Sequence, residues 1–133
     1  MTRLFISIIF CVTINFCFGQ TQAEMNQNAN IGFQKADKEL NLVYQSILKS
    51  YKSDTEFVKN LKISQRIWIQ LRDAEMKTKY PDRENGYYGS VQPMCLSIYM
   101  EDLTEERTKK LKVWLTGIEE GDVCSGSVKM KQR

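Results

Sequence analysis

Apolar residues recur at helical spacing between residues 21 and 51. At 100° per residue their side chains fall within about 100° of arc, and they are Met25, Ala29, Phe33, Ala36, Leu40, Val43, Tyr44, Ile47 and Tyr51. Thr21 and Glu24 have the spacing of a capping box, in which each side chain binds the other residue's backbone N–H. The pattern therefore predicts a first helix from Thr21 to about Tyr51.

A second helical pattern follows after a short link. Ser53 and Asp54 are residue types that cap helix N-termini, and Pro81 disfavours helix at the preceding residue, so this helix should end near Lys79. Because the link is so short, the two helices should form an antiparallel hairpin. One stripe of the second helix, with Arg72 at its edge, should carry Phe57, Leu61, Ser64, Trp68, Leu71 and Glu75.

The rest of the chain predicts a loop and two shorter helices. Proline, asparagine and two glycines mark residues 81–90 as a loop. Ser90 can cap a third helix over about 91–101, a fourth should begin at Thr104, and Gly117 should end it. We therefore expect an all-α bundle over residues 20–117, built from a long hairpin and two shorter C-terminal helices, with a flexible tail at 118–133.

Residues 1–19 have the pattern of a secretory signal peptide. Arg3 precedes an almost unbroken apolar run from Leu4 to Phe18, and Gly19 offers a small residue for cleavage. The alternative is a membrane anchor, but about 15 apolar residues are fewer than the roughly 20 that span a bilayer. We therefore expect a periplasmic or secreted protein with no stable membrane insertion after cleavage.

The amino-acid composition excludes several kinds of catalytic and metal site. The chain has no histidine, which removes histidine-assisted nucleophiles and imidazole metal ligands. A net charge of +3 is too small to indicate nucleic-acid binding. Four acids crowd one junction, Glu101, Asp102, Glu105 and Glu106, where a solvated helix cap is a simpler interpretation than an acid–base pair. We therefore expect that the protein has no enzymatic activity and binds neither a metal nor a cofactor.

Removal of the signal peptide would leave two cysteines, Cys95 and Cys124. An even number in an oxidising compartment favours a disulfide between them, with two free thiols as the alternative.

The hairpin geometry predicts one specific ion pair. With the turn near residue 53, position i lies beside about position 106 − i, so Arg72 lies at the level of residues 34–37. Asp37 should therefore be its main partner, with Asn41 close by. The alternative is a solvated charge on each helix.

Five short motifs occur in order along the chain: Thr21 to Asn26; Asp37, Asn41 and Tyr44 after Ala36; Trp68, Arg72 and Asp73 within residues 65–75; Gly89 to Met94; and Thr104 with Arg107. Together they resemble the N-terminal domain family of the lysozyme inhibitor LprI, over about residues 21–115. The resemblance implies a small, secreted, helical bacterial protein that binds and inhibits lysozyme. We interpret these motif residues as scaffold, because the hairpin geometry places Trp68 in the core and lets Arg72 tie the second helix to Asp37.

The chain departs from this family at three positions. Members often have cysteine where this chain has Asn28, Met76 and Tyr99, and these positions lie near one end of the predicted hairpin. In the family, these cysteines look like one covalent link at that end of the bundle. Because Cys95 is one helical turn before Tyr99, a disulfide between Cys95 and Cys124 could replace that missing link.

The loop after Pro81 is our candidate partner-binding surface. Its tyrosines offer large contact area at low entropic cost, and the candidate residues are Tyr80, Asp82, Arg83, Tyr87, Tyr88 and Ser90. The alternative is that the tyrosines merely cover the end of the bundle. The partner would be lysozyme or another envelope protein. An envelope adaptor or peptidoglycan-associated module stays open. For that function the basic residues Lys129, Lys131 and Arg133 could contact anionic polymers, although a solubilising tail is the simpler interpretation.

Overall fold

Three long helices account for most of the computed structural model, which describes residues 20–131. Helix α1 spans Gln22–Ser50, α2 spans Thr55–Lys79 and α3 spans Gln92–Thr116. They form a small all-α bundle, as the sequence predicts. The predicted signal peptide, its cleavage after Gly19, and Arg133 lie outside the described residues. None of the helices in the described range is long and apolar enough to cross a bilayer.

The first two helices begin and end where the sequence predicts. The Thr21 hydroxyl accepts from the Glu24 backbone N–H (3.2 Å), and the Glu24 carboxylate accepts from the Thr21 N–H (2.8 Å). Asp54 caps α2 by accepting from the Phe57 N–H at 3.0 Å. The predicted capping box and the short link are therefore confirmed, and both follow from local hydrogen bonding.

The two shorter C-terminal helices were predicted wrongly, because α3 is continuous from Gln92 to Thr116. Thr104 was expected to begin a fourth helix. Its hydroxyl instead donates to the Met100 carbonyl (2.6 Å), one turn back in the same helix, and Thr108 repeats this bond to Thr104. Thr104 is fully buried. A helix end there would bury unsatisfied backbone groups, so the continuous helix is the more stable choice.

The core lies between α1 and α3, whose backbones approach most closely. It contains Leu40, Val43, Ile47 and Tyr51 from α1, Leu61 from α2 and Leu111 from α3. The two helices run parallel, since Gly32 lies beside Glu101 and Glu39 pairs with Lys112 further along. A Cβ on Gly32 would lie 2.6 Å from a Glu101 carboxylate oxygen, so the Glu101 side chain takes up the space that the glycine leaves.

Helix α2 lies antiparallel beside α1, but its inward face differs from the predicted stripe. Leu71 is 52% exposed, whereas Gln65 is only 7% exposed and the Arg72 side chain 12%. Gln65, Trp68 and Arg72 lie on one face by helical geometry. The predicted stripe left Gln65 out and placed Arg72 only at its edge, although both side chains point inward and have hydrogen-bond partners there.

The C-terminal segment, predicted to be a flexible tail, folds back onto the bundle. Ile118 and Met130 form a parallel backbone bridge, and the Trp114 indole N–H donates to the Ser127 hydroxyl at 3.0 Å. The bend needs Gly117, which has φ 73° and ψ 176°, a region open almost only to glycine. Lys129 lies 4.4 Å from the Tyr51 ring centroid. The segment therefore covers the end of the core near the α1–α2 turn.

Candidate functional site

The loop at residues 80–91 joins α2 to α3 and is built from successive turns. The Tyr87 N–H donates to the Glu84 carbonyl (3.1 Å) and the Gly89 N–H to the Gly86 carbonyl (3.0 Å). Gly86 and Gly89 have φ of 83° and 71°, which side chains with a Cβ rarely adopt. The backbone of this loop is therefore held in a defined shape by its own hydrogen bonds.

Three tyrosines of this loop contact one another. Tyr88 lies edge-to-face against both neighbours, with ring centroids 5.6 Å from Tyr80 and 4.8 Å from Tyr87. Its hydroxyl donates to the Pro81 carbonyl at 2.9 Å. Tyr88 is thus the anchor of the cluster, while Tyr87 is 66% exposed. Tyr88 therefore supports the cluster, and Tyr87 projects into solvent.

Charged groups border the aromatic cluster. The Arg83 guanidinium lies 5.9 Å from the Tyr87 ring centroid, and the Lys79 ammonium lies 3.8 Å from that of Tyr99. Asp82 is exposed on the same loop. The structure thus brings Tyr80, Arg83, Tyr87 and Tyr88 into one contact chain; among the contacts of residues 20–131, Asp82 and the Ser90 side chain are not part of it.

Ser90 has a different role from the predicted cap. The residue preceding α3 is Val91, with no side-chain cap, and Pro93 occupies the first turn. The Ser90 carbonyl accepts a hydrogen bond from the Asn26 amide of α1 at 3.2 Å. The loop is continuous with α2 at one end and with α3 at the other. The bond from Asn26 also ties the loop to α1, so it is held at three points. Sequence reasoning missed Asn26, since nothing local links it to a loop so distant in sequence.

Tyr80 packs against the start of α3. Burial is the largest cause that raises the pKa of Tyr80 above its ordinary value, and the nearby Cys95 thiol raises it further. The phenol therefore stays neutral in the physiological range. Tyr80 serves as the inner end of the cluster.

The motif residues of α1 and α2 form a scaffold cluster centred on Arg72. Its Nη1 donates to Asp37 Oδ1 at 3.4 Å and its Nε to Asp73 Oδ1 at 3.3 Å, and the Asn41 amide donates to Asp37 Oδ2 at 3.1 Å. The guanidinium lies 5.2 Å from the Trp68 ring centroid. The predicted pairing of Arg72 with Asp37 is confirmed.

A second scaffold arginine links α3 to α2. Arg107 Nε donates to Gln65 Oε1 and its Nη2 to Ser64 Oγ, each at 3.0 Å. The guanidinium also lies 5.8 Å from the Trp68 ring centroid. Trp68 therefore lies between two arginines. Tyr44 packs against the core as a half-buried ring.

We expect replacement of Arg72 by alanine to lower the free energy of unfolding by about 1–3 kcal/mol. The change removes an ion pair and a partly buried cation–π contact, and it uncovers Trp68. Thermal unfolding followed by circular dichroism measures the effect. Arg66→Ala, at an exposed position of α2, is the control. An Arg72→Ala protein as stable as wild type would show that the pairing contributes nothing.

The proposed bridge between Cys95 and Cys124 is absent, and both cysteines are free. Cys95 lies in the first turn of α3 beside Tyr80, whereas Cys124 is exposed in the segment held against Trp114 at the other end of that helix. A disulfide needs Cα atoms within about 7 Å. The tail folds back at the wrong end of α3 for this bridge.

No group of three or more metal-ligating side chains occurs within residues 20–131. The predicted acidic junction is the middle of a continuous helix, so its four acids project along α3 rather than around a helix end.

One of the comparisons with known proteins identifies a family. A family model described as lysozyme inhibitor LprI matches residues 18–111. The chain is also similar to the uncharacterized protein R02472 of Rhizobium meliloti (strain 1021), at 29% identity over 103 residues, which are 69% of this chain and 72% of that protein. No solved structure matches the chain significantly. The match covers both scaffold arginines, the aromatic loop and most of α3, and the chain belongs to the lysozyme inhibitor LprI family.

Proposed function

We propose that this protein is exported and inhibits lysozyme by direct protein–protein contact, without catalysis of its own. The observation that carries the proposal is the family match over residues 18–111. The signal-peptide pattern of residues 1–19 supports a periplasmic or secreted location, where a lysozyme would be met.

The loop at residues 80–91 is the contact surface that we propose. An inhibitor must fill part of an enzyme's cleft with a rigid protrusion, since ordering a mobile loop costs affinity. Here Tyr87 is exposed and is braced by Tyr88, which is itself bonded to Pro81. A braced tyrosine offers a large contact area with little rotamer entropy left to lose.

The charges of the loop favour contact by packing over long-range attraction. Lys79 and Arg83 oppose Asp82 and Glu84 in sign, so the loop has no strong field. The whole chain is slightly basic, and typical lysozymes are basic as well, so attraction at a distance does not speed association. Inhibition should therefore depend only weakly on salt concentration.

A turbidity assay tests the proposal. Purified protein from residue 20 onward is added to animal-type or goose-type lysozyme acting on bacterial cell walls, and clearing of the suspension is followed by light scattering. We expect slower clearing at micromolar inhibitor, in proportion to the amount added. Unchanged clearing with both enzyme types, at a concentration where circular dichroism shows a folded protein, would exclude lysozyme inhibition.

The alternative function, an envelope adaptor or peptidoglycan-associated module, loses part of its support. The sequence left open that Lys129 and Lys131 contact anionic polymers, with a solubilising tail as the simpler interpretation. Lys129 instead lies over Tyr51 and donates to the Ser50 carbonyl at 3.3 Å, and Lys131 pairs with Glu119. A pull-down on insoluble peptidoglycan separates the two functions, because only the alternative requires retention without lysozyme.

A further inference from the structure

A cavity of about 480 Å³ opens between α2 and α3 near the α1–α2 turn. This end of the bundle is opposite to the aromatic loop, so the cavity is independent of the proposed lysozyme contact. Its apolar walls are Phe57, Leu61, Leu111 and Trp114, and Ser64 and Arg107 supply polar groups. Its volume is in the range of pockets that bind small ligands or single side chains.

Arg107 brings a positive charge to this cavity without an acidic partner. The ion pairs among the described residues include carboxylates for Arg72 but none for Arg107. Its partners are the neutral Gln65 and Ser64. Burial lowers the pKa of Arg107 below its ordinary value, yet a guanidinium stays charged at neutral pH. Arg107 is only half-buried, and no buried side-chain polar atom of the described residues lacks a hydrogen-bond partner. Its remaining N–H groups therefore face solvent, where an anion can replace water.

The guanidinium is fixed in a position where it can bind an anion. Nε donates to Gln65 and one N–H of Nη2 donates to Ser64. Three N–H groups of Arg107 remain, two on Nη1 and one on Nη2. These are the paired donors that a carboxylate accepts in bidentate geometry.

The wall of the cavity nearer the α1–α2 turn is aromatic and lies about 10 Å along α2 from Ser64. Phe57 stacks on Tyr51 with ring centroids 4.4 Å apart and lies 6.2 Å from Trp114. The Trp114 indole is held by its bond to Ser127. Leu61 and Leu111 lie between this wall and Arg107, each about one helical turn from Ser64 or Arg107. The apolar surface is therefore continuous from the cation to the aromatic wall, and it suits a ligand with an apolar body and one carboxylate.

Two acidic residues, Asp54 and Glu56, also line the cavity, at the end away from Arg107. Each of them already has a partner. Asp54 caps α2 through the Phe57 N–H, and Glu56 pairs with Lys59. From Glu56 to Ser64 is about 12 Å along α2. Asp54 and Glu56 therefore disfavour a second negative charge at their end of the cavity, but they do not cancel the positive potential at Arg107.

We propose that this cavity binds the C-terminal residue of a partner polypeptide, with the carboxylate on Arg107 and an apolar side chain against Leu61 and Leu111, directed towards Phe57 and Trp114. The groove is open to solvent, so a chain can leave it, and Asn60 and Ser64 offer hydrogen-bonding groups for a backbone. A peptide ending in phenylalanine satisfies the cation, the apolar wall and the single allowed negative charge together.

Tryptophan fluorescence provides the test, because Trp114 lines the cavity. Acetyl-Ala-Ala-Phe with a free carboxylate is titrated into the protein and compared with the same peptide as its C-terminal amide. We expect a saturable change for the free acid and about tenfold or weaker binding of the amide, which loses charge-assisted hydrogen bonds. Equal binding of both peptides, or no saturable change at millimolar acid, overturns the proposal.

Variants assign the binding to the cavity. Arg107→Gln should abolish the preference for acid over amide. Because that change also removes scaffold bonds, Asn60→Phe gives a second test that fills the cavity from an exposed helix position. The matched control is Gln70→Phe, exposed elsewhere on α2. Asn60→Phe should block the free acid while Gln70→Phe binds it normally; binding that survives Asn60→Phe, or N-acetylphenylalanine binding as tightly as the peptide, contradicts the proposal.

Discussion

Replacing Tyr87 with alanine is expected to weaken lysozyme inhibition by about thirtyfold, the loss of roughly 2 kcal/mol that a central aromatic anchor contributes to an interface. Tyr87 is 66% exposed, and its ring contacts Tyr88 and Arg83 of the same loop. Its removal should therefore leave the fold unchanged. The inhibitor concentration that halves the rate of cell-wall clearing measures the effect, and circular dichroism checks helicity.

Two controls separate direct contact from loop shape. Tyr88→Phe keeps the ring that supports Tyr87 and removes the hydroxyl bond to Pro81, so any loss reports loosening of the loop. Leu42→Ala changes an exposed residue of α1, outside the loop, and should inhibit like wild type. If Tyr87→Ala inhibits as well as wild type, the contact surface is not this loop, although inhibition itself would stand.

Ile47→Ala should produce the largest loss of stability in the bundle. Ile47 is fully buried in the core that α1 and α3 share. Truncation removes apolar contacts and leaves a cavity, which typically costs about 2–5 kcal/mol. The melting temperature should fall by about 10 °C or more, measured by circular dichroism at constant protein concentration.

A neighbouring leucine provides the matched comparison. Leu42 belongs to the same helix but is 60% exposed, so Leu42→Ala should change stability by less than about 0.5 kcal/mol. Equal losses from the two changes would mean that Leu42 is buried in solution, for example in an oligomer. Comparable stability of Ile47→Ala and wild type would contradict the core described here.

The sequence predicted well wherever local rules decide the outcome. Thr21 and Glu24 cap α1 because their hydrogen bonds are local, and Pro81 ends α2 because it restricts the residue before it. The pairing of Arg72 with Asp37 was predictable as well, since a short link fixes the register of a hairpin. The candidate loop was recognised from its glycines and proline, and its tyrosines do form one cluster.

The wrong predictions share a physical cause. A threonine followed by acids is a helix start when it is solvated, but Thr104 is buried and its hydroxyl satisfies a carbonyl of its own helix. An even number of cysteines favours a disulfide, but Cys95 and Cys124 lie towards opposite ends of α3. In each case the local signal was real and the tertiary environment reversed its meaning.

The helical class, the caps of α1 and α2, the hairpin and the family could all be predicted from the sequence, because they depend on periodicity, neighbouring hydrogen bonds and ordered motifs. Only the tertiary structure decided that α3 is continuous, that Tyr88 supports while Tyr87 projects, and that the C-terminal segment covers the core. It also decided the different surroundings of the two arginines. Arg72 meets carboxylates from both helices of the hairpin, whereas Arg107 meets only neutral groups and an open apolar cavity, since its neighbours come from distant parts of the chain.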